Sequence, residues 1–329
     1  MLWIATLLAV GSAAARGQTS AADARELGRQ YTEWFYSGET ARLWGRLSPE
    51  MKKLFGTAEG LAGFRTQVEA QAGTETAVLS EEVQERDGLR AYLRLARFSK
   101  APGPVAVQWV VAADGTVTGF AVRPQPQEAA SQHLDYRTKT PLRLPFQGEW
   151  FVFWGGRTVA ENYHAATRDQ RFAYDFVIVR DGKSHTGDGS ANEQYFCFGQ
   201  PILAPGPGTV AVAVDGVADN KPGVMNPAQP PGNHVVIDHG NGEFSFLAHF
   251  KQKSLEVKKG DAVKAGDLLG RCGNSGNSSE PHLHYHLQTT AEFREGEGLP
   301  AQFQGYVADG EKVERGEPRK GQTIRPQPK

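Results

Sequence analysis

Histidines alternate with apolar residues in the run Pro281-His282-Leu283-His284-Tyr285-His286-Leu287. Successive side chains of a β-strand point to opposite faces, so this pattern predicts a strand with one apolar face and one face of three imidazoles. A single histidine on the polar face of a strand would need no special explanation. Three of them, one pleat apart, favour a site that holds or flanks a metal ion, because imidazole nitrogen is a common metal ligand.

Length and charge limit what the rest of the molecule can be. The chain has 329 residues, which is enough for two domains with a core each. Its 36 Lys and Arg residues are balanced by 37 Asp and Glu residues. No basic cluster is interleaved with aromatic residues, so nucleic acid is not expected as a partner. The oligomeric state is left open.

The first residues suggest export. The apolar run at residues 1–10 is followed by small residues at 11–15, which is typical of a signal peptide cleaved near Ala15, although no Lys or Arg precedes the apolar part. We therefore expect a signal peptide at residues 1–15, a periplasmic or extracellular, cell-wall location, and no stable membrane span after cleavage. In an exported protein, Cys197 and Cys272 could form a disulfide, which the sequence alone leaves open.

The first half is expected to form an α+β accessory domain over residues 20–122. Helices are predicted after Ser20, at Ser48-Pro49-Glu50, where a serine cap precedes proline, and around Leu61, Phe64 and Val68. Alternating patterns predict strands at 89–95, 105–111 and 117–122, with a turn at Asp114-Gly115. This half contains no cluster of catalytic residue types.

Strands and turns fill the second half, so we expect a mainly antiparallel β domain at residues 141–299. A polar, proline-containing linker precedes it at residues 123–140. Strands are predicted at 142–146, 172–179, 208–214, 234–238, 243–249 and 268–272. The aromatic run at 150–154 is either a buried strand or the wall of a groove. The segment rich in Gly, Pro, Lys and Glu at residues 300–329 is expected to be a loop-like or partly disordered tail.

Four blocks stand out in this half: 162–164 (Asn-Tyr-His), 172–176 (Phe-Ala-Tyr-Asp-Phe), 246–250 (Phe-Leu-Ala-His-Phe) and the glycine-rich loop and histidines of 273–284. Together they resemble the lysostaphin-type zinc endopeptidases of bacterial cell walls. The segments 199–205 and 235–240 also look like strands of that family in the same order. The resemblance covers roughly residues 150 to 290, and the combination is specific where each block alone is weak.

The resemblance implies roles for five residues. His164, Asp175 and His284 match the three zinc ligands, and His249 and His282 match two unliganded histidines beside the metal. One zinc ion per chain would keep its fourth position for water and lower the pKa of that water from about 15.7 to roughly 7. We assign His282 as the base and His249 as the partner that stabilises the oxyanion, with the reverse assignment left open.

The chain departs from the family at two points. The family usually has three residues between its first histidine and the aspartate, whereas ten separate His164 from Asp175. Asp169 is the alternative ligand, but we expect it in a solvated loop. We prefer Asp175 because an unpaired carboxylate in its apolar strand would be costly to bury. His286 stands where the family more often has glutamate, and it either hydrogen-bonds to a ligand or only fills the strand face.

The remaining polar residues have simpler interpretations. No catalytic role is expected for the four other histidines. His185 lies in a loop and His133 beside the linker, whereas His234 and His239 flank a strand and are expected to hydrogen-bond to a turn. The loop residues Asn274, Ser275 and Asn277 either contact substrate or shape the turn before the histidine strand.

These features predict an exported zinc metalloendopeptidase, a hydrolase that cleaves peptide bonds in peptidoglycan cross-links. The first domain would orient or recruit it. The alternative is a non-catalytic or partner-regulated cell-wall binding protein of the same fold. A serine hydrolase is excluded by the absence of a Gly-x-Ser-x-Gly sequence.

Overall fold

The computed structural model describes residues 21–86 and 88–328. The chain divides after Pro126 into two compact units, each with its own hydrophobic core. The expected signal peptide at residues 1–15 and the helix cap Ser20 lie outside the described residues. Among the helices that are described, none is long and apolar enough to cross a membrane.

The first unit consists of helices followed by a sheet, as the sequence predicts. The helices are α1 (Ala21–Ser37), α2 (Thr40–Arg46), α3 (Pro49–Phe55) and α4 (Ala58–Ala72). The strands β1 (Glu75–Arg86), β2 (Leu89–Phe98), β3 (Val105–Val111) and β4 (Val117–Pro124) pair antiparallel in chain order. The side chain of Ser48 caps α3 by accepting a hydrogen bond from the Met51 N–H.

Helix α2 and strand β1 were not predicted, and each has a weak sequence signal. Helix α2 has seven residues, and the side chain of its N-cap Glu39 makes no capping hydrogen bond. Strand β1 lies at the edge of the sheet, and none of its residues with described burial is buried. An exposed edge strand needs no apolar face, so it lacks the alternation by which strands are recognised.

The second unit is built from strands. They are β5 (Trp150–Trp154), β6 (Tyr174–Val177), β7 (Pro201–Leu203), β8 (Gly208–Val214), β9 (Asn233–Asp238), β10 (Phe244–Phe250), β11 (Ala262–Val263), β12 (Leu268–Arg271), β13 (Leu283–Gln288), β14 (Gly298–Leu299), β15 (Phe303–Ala308), β16 (Glu311–Gly316) and β17 (Thr323–Pro326). Eleven strands form one sheet, in which β14 pairs with β13 and the others follow the order β11-β8-β9-β10-β13-β6-β5-β17-β15-β16. Between residues 127 and 328, the only helices are two 3₁₀ turns, Tyr163–Ala166 and Asn192–Gln194. The predicted fold class is confirmed.

The histidine strand β13 lies between β10 and β6. Leu283, Tyr285 and Leu287 are at most 1% exposed and belong to the core of the second unit. The intervening His284 and His286 occupy the other face, as the alternation predicts.

Two predictions for the second unit were wrong. The segment predicted as a tail after residue 300 forms β15, β16 and β17, which bury Phe303, Tyr306 and Ile324. Its turns and the exposed strand β16 hold most of the polar residues that suggested disorder. The segment 142–146 makes a single bridge, from Leu142 to Phe303, instead of a strand.

The predicted linker at residues 123–140 begins in β4, which extends to Pro124. Its far end, residues 136–140, belongs to the second unit, and we call it the strap. The buried carboxylate of Glu243 accepts hydrogen bonds from the Tyr136 hydroxyl, the Lys139 N–H, and the N–H and hydroxyl of Thr140. These four hydrogen bonds tie the strap to the residue that precedes β10, so this part of the segment is fixed in place.

Candidate metal centre

Three separate elements bring His164, Asp175 and His284 together. Asp175 on β6 lies directly opposite His284 on β13 in the antiparallel ladder, and its Oδ1 is 2.9 Å from His284 Nδ1. The other carboxylate oxygen is 3.1 Å from His164 Nε2. All three side chains are buried, and one ligand atom from each lies within 4.8 Å of the others.

Asn162 connects the turn that carries His164 to the strand that carries Asp175. Its Oδ1 accepts the His164 N–H at the start of the 3₁₀ turn. Its Nδ2 donates to the carbonyl oxygen of Ala173, two residues before Asp175, at 2.9 Å. The side chain is fully buried, so the ten-residue separation between the two ligands is closed by an internal hydrogen-bonding link.

The structure does not bring Asp169 into this cluster. The expectation that it lies in a solvated loop was wrong, because the residue is 3% exposed and its Oδ2 has no hydrogen-bond partner. The polar residues around it in the sequence gave no indication of this burial.

His249 and His282 stand beside the cluster with their rings 4.8 Å apart. His249 Nδ1 is 2.7 Å from the carbonyl oxygen of Ser275, and His282 Nδ1 is 2.8 Å from that of Glu280. A carbonyl oxygen only accepts, so Nδ1 of each ring carries the proton. In the neutral form of either ring, Nε2 therefore keeps its lone pair. The Nε2 of His282 is 3.6 Å from Asp175 Oδ1.

A local irregularity places His249 at the site. In a regular strand, two residues that are three positions apart point to opposite faces. Leu247 and Phe250 are three apart and yet both belong to the core, because the ladder between β10 and β9 shifts register between them. A β-bulge of this kind redirects a side chain. His249 has a φ of 64°, a left-handed conformation that is uncommon outside glycine and costs about 1–3 kcal/mol.

The contacts of His286 answer the question that the sequence left open. Its Nδ1 is 2.9 Å from His284 Nε2, and its Nε2 is 3.1 Å from Gln288 Oε1. Its ring also stacks on Phe246, with centroids 4.8 Å apart. His286 thus hydrogen-bonds to a ligand candidate. Gln288 was missed, although the alternation that places histidines at 282, 284 and 286 on one face also places residue 288 there.

Electrostatics favour an ionised carboxylate at Asp175 and neutral rings at His249 and His284. Burial alone would raise the pKa of Asp175, but His164, His282 and His284 outweigh it and hold the pKa well below its usual value. Burial lowers the pKa of His284 although the Asp175 carboxylate lies beside it. Burial, followed by the proximity of His282 and His284, lowers the pKa of His249 well below its usual value. A carboxylate beside neutral imidazoles suits a divalent cation.

A groove of about 200 Å³ is lined by four of these histidines, His164, His249, His284 and His286. Its walls include Tyr163, Pro231, Phe246, Asn277 and Arg294. Asn277 is therefore the member of the glycine-rich loop that is placed to meet a bound molecule. The side chains of Asn274 and Ser275 are fully buried and hydrogen-bond within the protein.

The four remaining histidines contact backbone carbonyl oxygens or a carboxylate and take no part in the metal cluster. His185, His234 and His239 each place Nδ1 near a backbone carbonyl oxygen, and His133 Nε2 is 2.9 Å from Glu297. Cys197 and Cys272 are buried free thiols.

Comparison with known proteins gives the family. Residues 193–295 match peptidase family M23. This segment contains His249, His282 and His284, whereas His164 and Asp175 precede it.

Two curated relatives share part of this region. Peptidoglycan DD-endopeptidase ShyA of Vibrio cholerae is 40% identical over 91 residues, which are 27% of this chain and 19% of the relative. Cell division protein DipM of Caulobacter vibrioides is 31% identical over 90 residues, 27% of this chain and 13% of the relative. The chain thus spans about a fifth or less of the length of these relatives.

Among solved structures, the catalytic domain of lysostaphin from Staphylococcus simulans is 20% identical. The match covers 47% of this chain and 89% of that one, with a TM-score of 0.29. The family resemblance seen in the sequence is confirmed by the match to residues 193–295, and the chain carries a peptidase family M23 domain.

Proposed function

We propose that this protein is an exported zinc metalloendopeptidase that hydrolyses peptide bonds in bacterial peptidoglycan. The observation that carries the proposal is the convergence of His164, Asp175 and His284 beside two further histidines, next to a groove that His164, His249 and His284 line. The similarity to a peptidoglycan DD-endopeptidase supports peptidoglycan as the substrate. The M23 domain supports hydrolysis as the reaction.

The residues present fit a zinc ion. Two imidazole nitrogens and one carboxylate form a donor set that zinc uses in catalytic sites, and their mutual distances of 2.9 and 3.1 Å are close to those between ligands of one ion. We assign His164 Nε2, the Asp175 carboxylate and His284 Nδ1 as the ligands. When bound, zinc supplies a polarising charge and a water molecule with a pKa near 7.

The two unliganded histidines supply proton transfer. His282 and His249 hold their Nδ1 protons against the carbonyl oxygens of Glu280 and Ser275, so each can accept a proton at Nε2 and later return it. We assign His282 as the base because its Nε2 faces Asp175. His249 becomes an oxyanion donor once its Nε2 has gained a proton. Its lowered pKa opposes that gain. The reverse assignment of the two roles is the alternative.

The experiment that tests the function is mass spectrometry of fragments released from purified peptidoglycan. The wild-type chain is expected to release peptide fragments whose masses identify the bond that is cut. A chelator and the variant His284→Ala are each expected to abolish release, since both remove the metal. His185→Ala is the matched control. His185 is a histidine in a loop whose contacts are the carbonyl oxygen of Thr186 and the ring of Tyr195, and neither belongs to the proposed metal site.

Release that survives the chelator would contradict a metalloenzyme. A wild-type chain that holds one zinc ion and releases nothing would instead identify a non-catalytic or partner-regulated cell-wall protein of the same fold.

A further inference from the structure

The orientation of the Gln288 amide is determined by its surroundings. Gln288 is fully buried in β13. Its Nε2 lies 2.8 Å from the carbonyl oxygen of Thr290 and 3.1 Å from that of Glu292. Carbonyl oxygens only accept hydrogen bonds, so the atom between them must be the amide nitrogen. The amide oxygen consequently faces His286.

This orientation sets the proton on His286. The Oε1 of Gln288 can only accept, so the nitrogen that faces it, His286 Nε2, must carry a proton. The ring is 1% exposed and stacks on Phe246, where a charged imidazolium would be costly to bury. A neutral imidazole has one N–H, so His286 Nδ1 is an acceptor.

The same reasoning extends to His284. Its Nε2 is 2.9 Å from the accepting Nδ1 of His286 and therefore donates. His284 Nδ1 is then left without a proton, 2.9 Å from Asp175 Oδ1. Two lone pairs at this distance repel each other, and a cation held between them removes the repulsion.

We infer that Gln288 and His286 are positioning residues: they hold His284 as the Nε2–H tautomer and so present a bare Nδ1 to a divalent cation. The inference rests on the proposed metal site, and it assigns a role to two residues that do not contact the metal. Partners of this kind orient a ligand ring, and their loss typically weakens metal affinity by about 10- to 100-fold.

The first test needs no variant. Long-range ¹H–¹⁵N correlation spectra of the metal-free wild-type chain report which nitrogen of each histidine is protonated. We expect the proton on Nε2 of both His284 and His286. A proton on Nδ1 of His284 would overturn the inference, and this result does not depend on whether the chain is an enzyme.

The second test measures the dissociation constant for Zn²⁺ by competition with a chromophoric chelator. Gln288→Met and His286→Leu remove the acceptors and are expected to weaken binding by about 10- to 100-fold. His286→Asn is expected to restore much of it, because its amide oxygen stands where Nδ1 stood. Gln304→Met, the same substitution on β15, is the control and should leave the affinity unchanged.

Wild-type affinity in both Gln288→Met and His286→Leu would overturn the inference while leaving the proposed function intact. A wild-type chain that binds no zinc would overturn the proposed function, and the tautomer spectra would still decide how the protons are placed.

Discussion

His249 and His282 differ from the ligand candidates His164 and His284 in the atoms that their rings face. The backbone carbonyl oxygens of Ser275 and Glu280 anchor their Nδ1 atoms, whereas the rings of His164 and His284 face Asp175. The backbone carbonyl oxygens hold His249 and His282 whether or not a metal is bound. Substituting His249 or His282 should therefore impair proton transfer without weakening metal binding.

We expect His249→Ala and His282→Ala to keep wild-type zinc affinity and to lose about 10²–10⁴-fold in turnover, the usual contribution of a general base or acid. His284→Ala should lose both. The pH profile of kcat/KM then identifies the base, because the variant that lacks it also lacks the fall in activity on the acid side. Loss of zinc from His249→Ala or His282→Ala would contradict the division of roles.

The strap and strand β10 are connected through one buried polar residue. Glu243 holds the strap: its carboxylate is fully buried and accepts hydrogen bonds from Tyr136, Lys139 and Thr140. Glu243 immediately precedes β10, which carries His249. Burial alone would raise the pKa of Glu243, but these hydrogen bonds outweigh it and lower the pKa below its usual value.

Glu243→Gln is expected to lower the free energy of unfolding by about 1–3 kcal/mol, because the amide nitrogen must face hydrogen-bond donors. Since the folded pKa is the lower one, the stabilisation by the wild-type carboxylate is complete above the unfolded pKa of about 4.3 and is lost as the pH falls through the folded value. Urea unfolding at pH 7 and at pH 3 measures both effects. The exposed Glu256→Gln is the control, and equal losses in the two variants would refute this account of the strap.

At the scale of the whole molecule, the two units have separate cores. The core of the second unit contains residues between Leu142 and Ile324, and that of the first contains residues between Ala24 and Val122. All five residues assigned to the metal and to proton transfer lie in the second unit. The fold therefore offers a direct way to test the accessory role expected of the first unit.

We expect a fragment of residues 127–329 to cleave soluble cross-linked muropeptides as fast as the full chain and intact peptidoglycan more slowly. Cleavage of the soluble substrate depends on the site alone, whereas the first unit would act by recruitment to the wall. Parallel rate measurements on the two substrates test this. Equal rates on intact peptidoglycan would exclude recruitment, and failure on the soluble peptide would mean that the first unit completes the site.

The sequence was informative wherever a local rule operates. The alternation at residues 281–287 predicted the two faces of β13, and the Ser48-Pro49 pair predicted the start of α3. The preference for Asp175 over Asp169 followed from the cost of burying an unpaired carboxylate, and the structure places Asp175 beside His164 and His284. The tail was misjudged because strands such as β17 are stabilised by partners distant in sequence.

By itself, then, the sequence determined the fold class, the family and the identity of the side chains that could bind a metal, because strand periodicity and motif order are local properties. Only the tertiary structure decided how those side chains are aimed. The bulge at His249 exists because Leu247 and Phe250 both enter the core. The orientation of Gln288 depends on carbonyl oxygens in the turn that follows β13. Geometry of this kind is fixed by packing between segments, which no local pattern records.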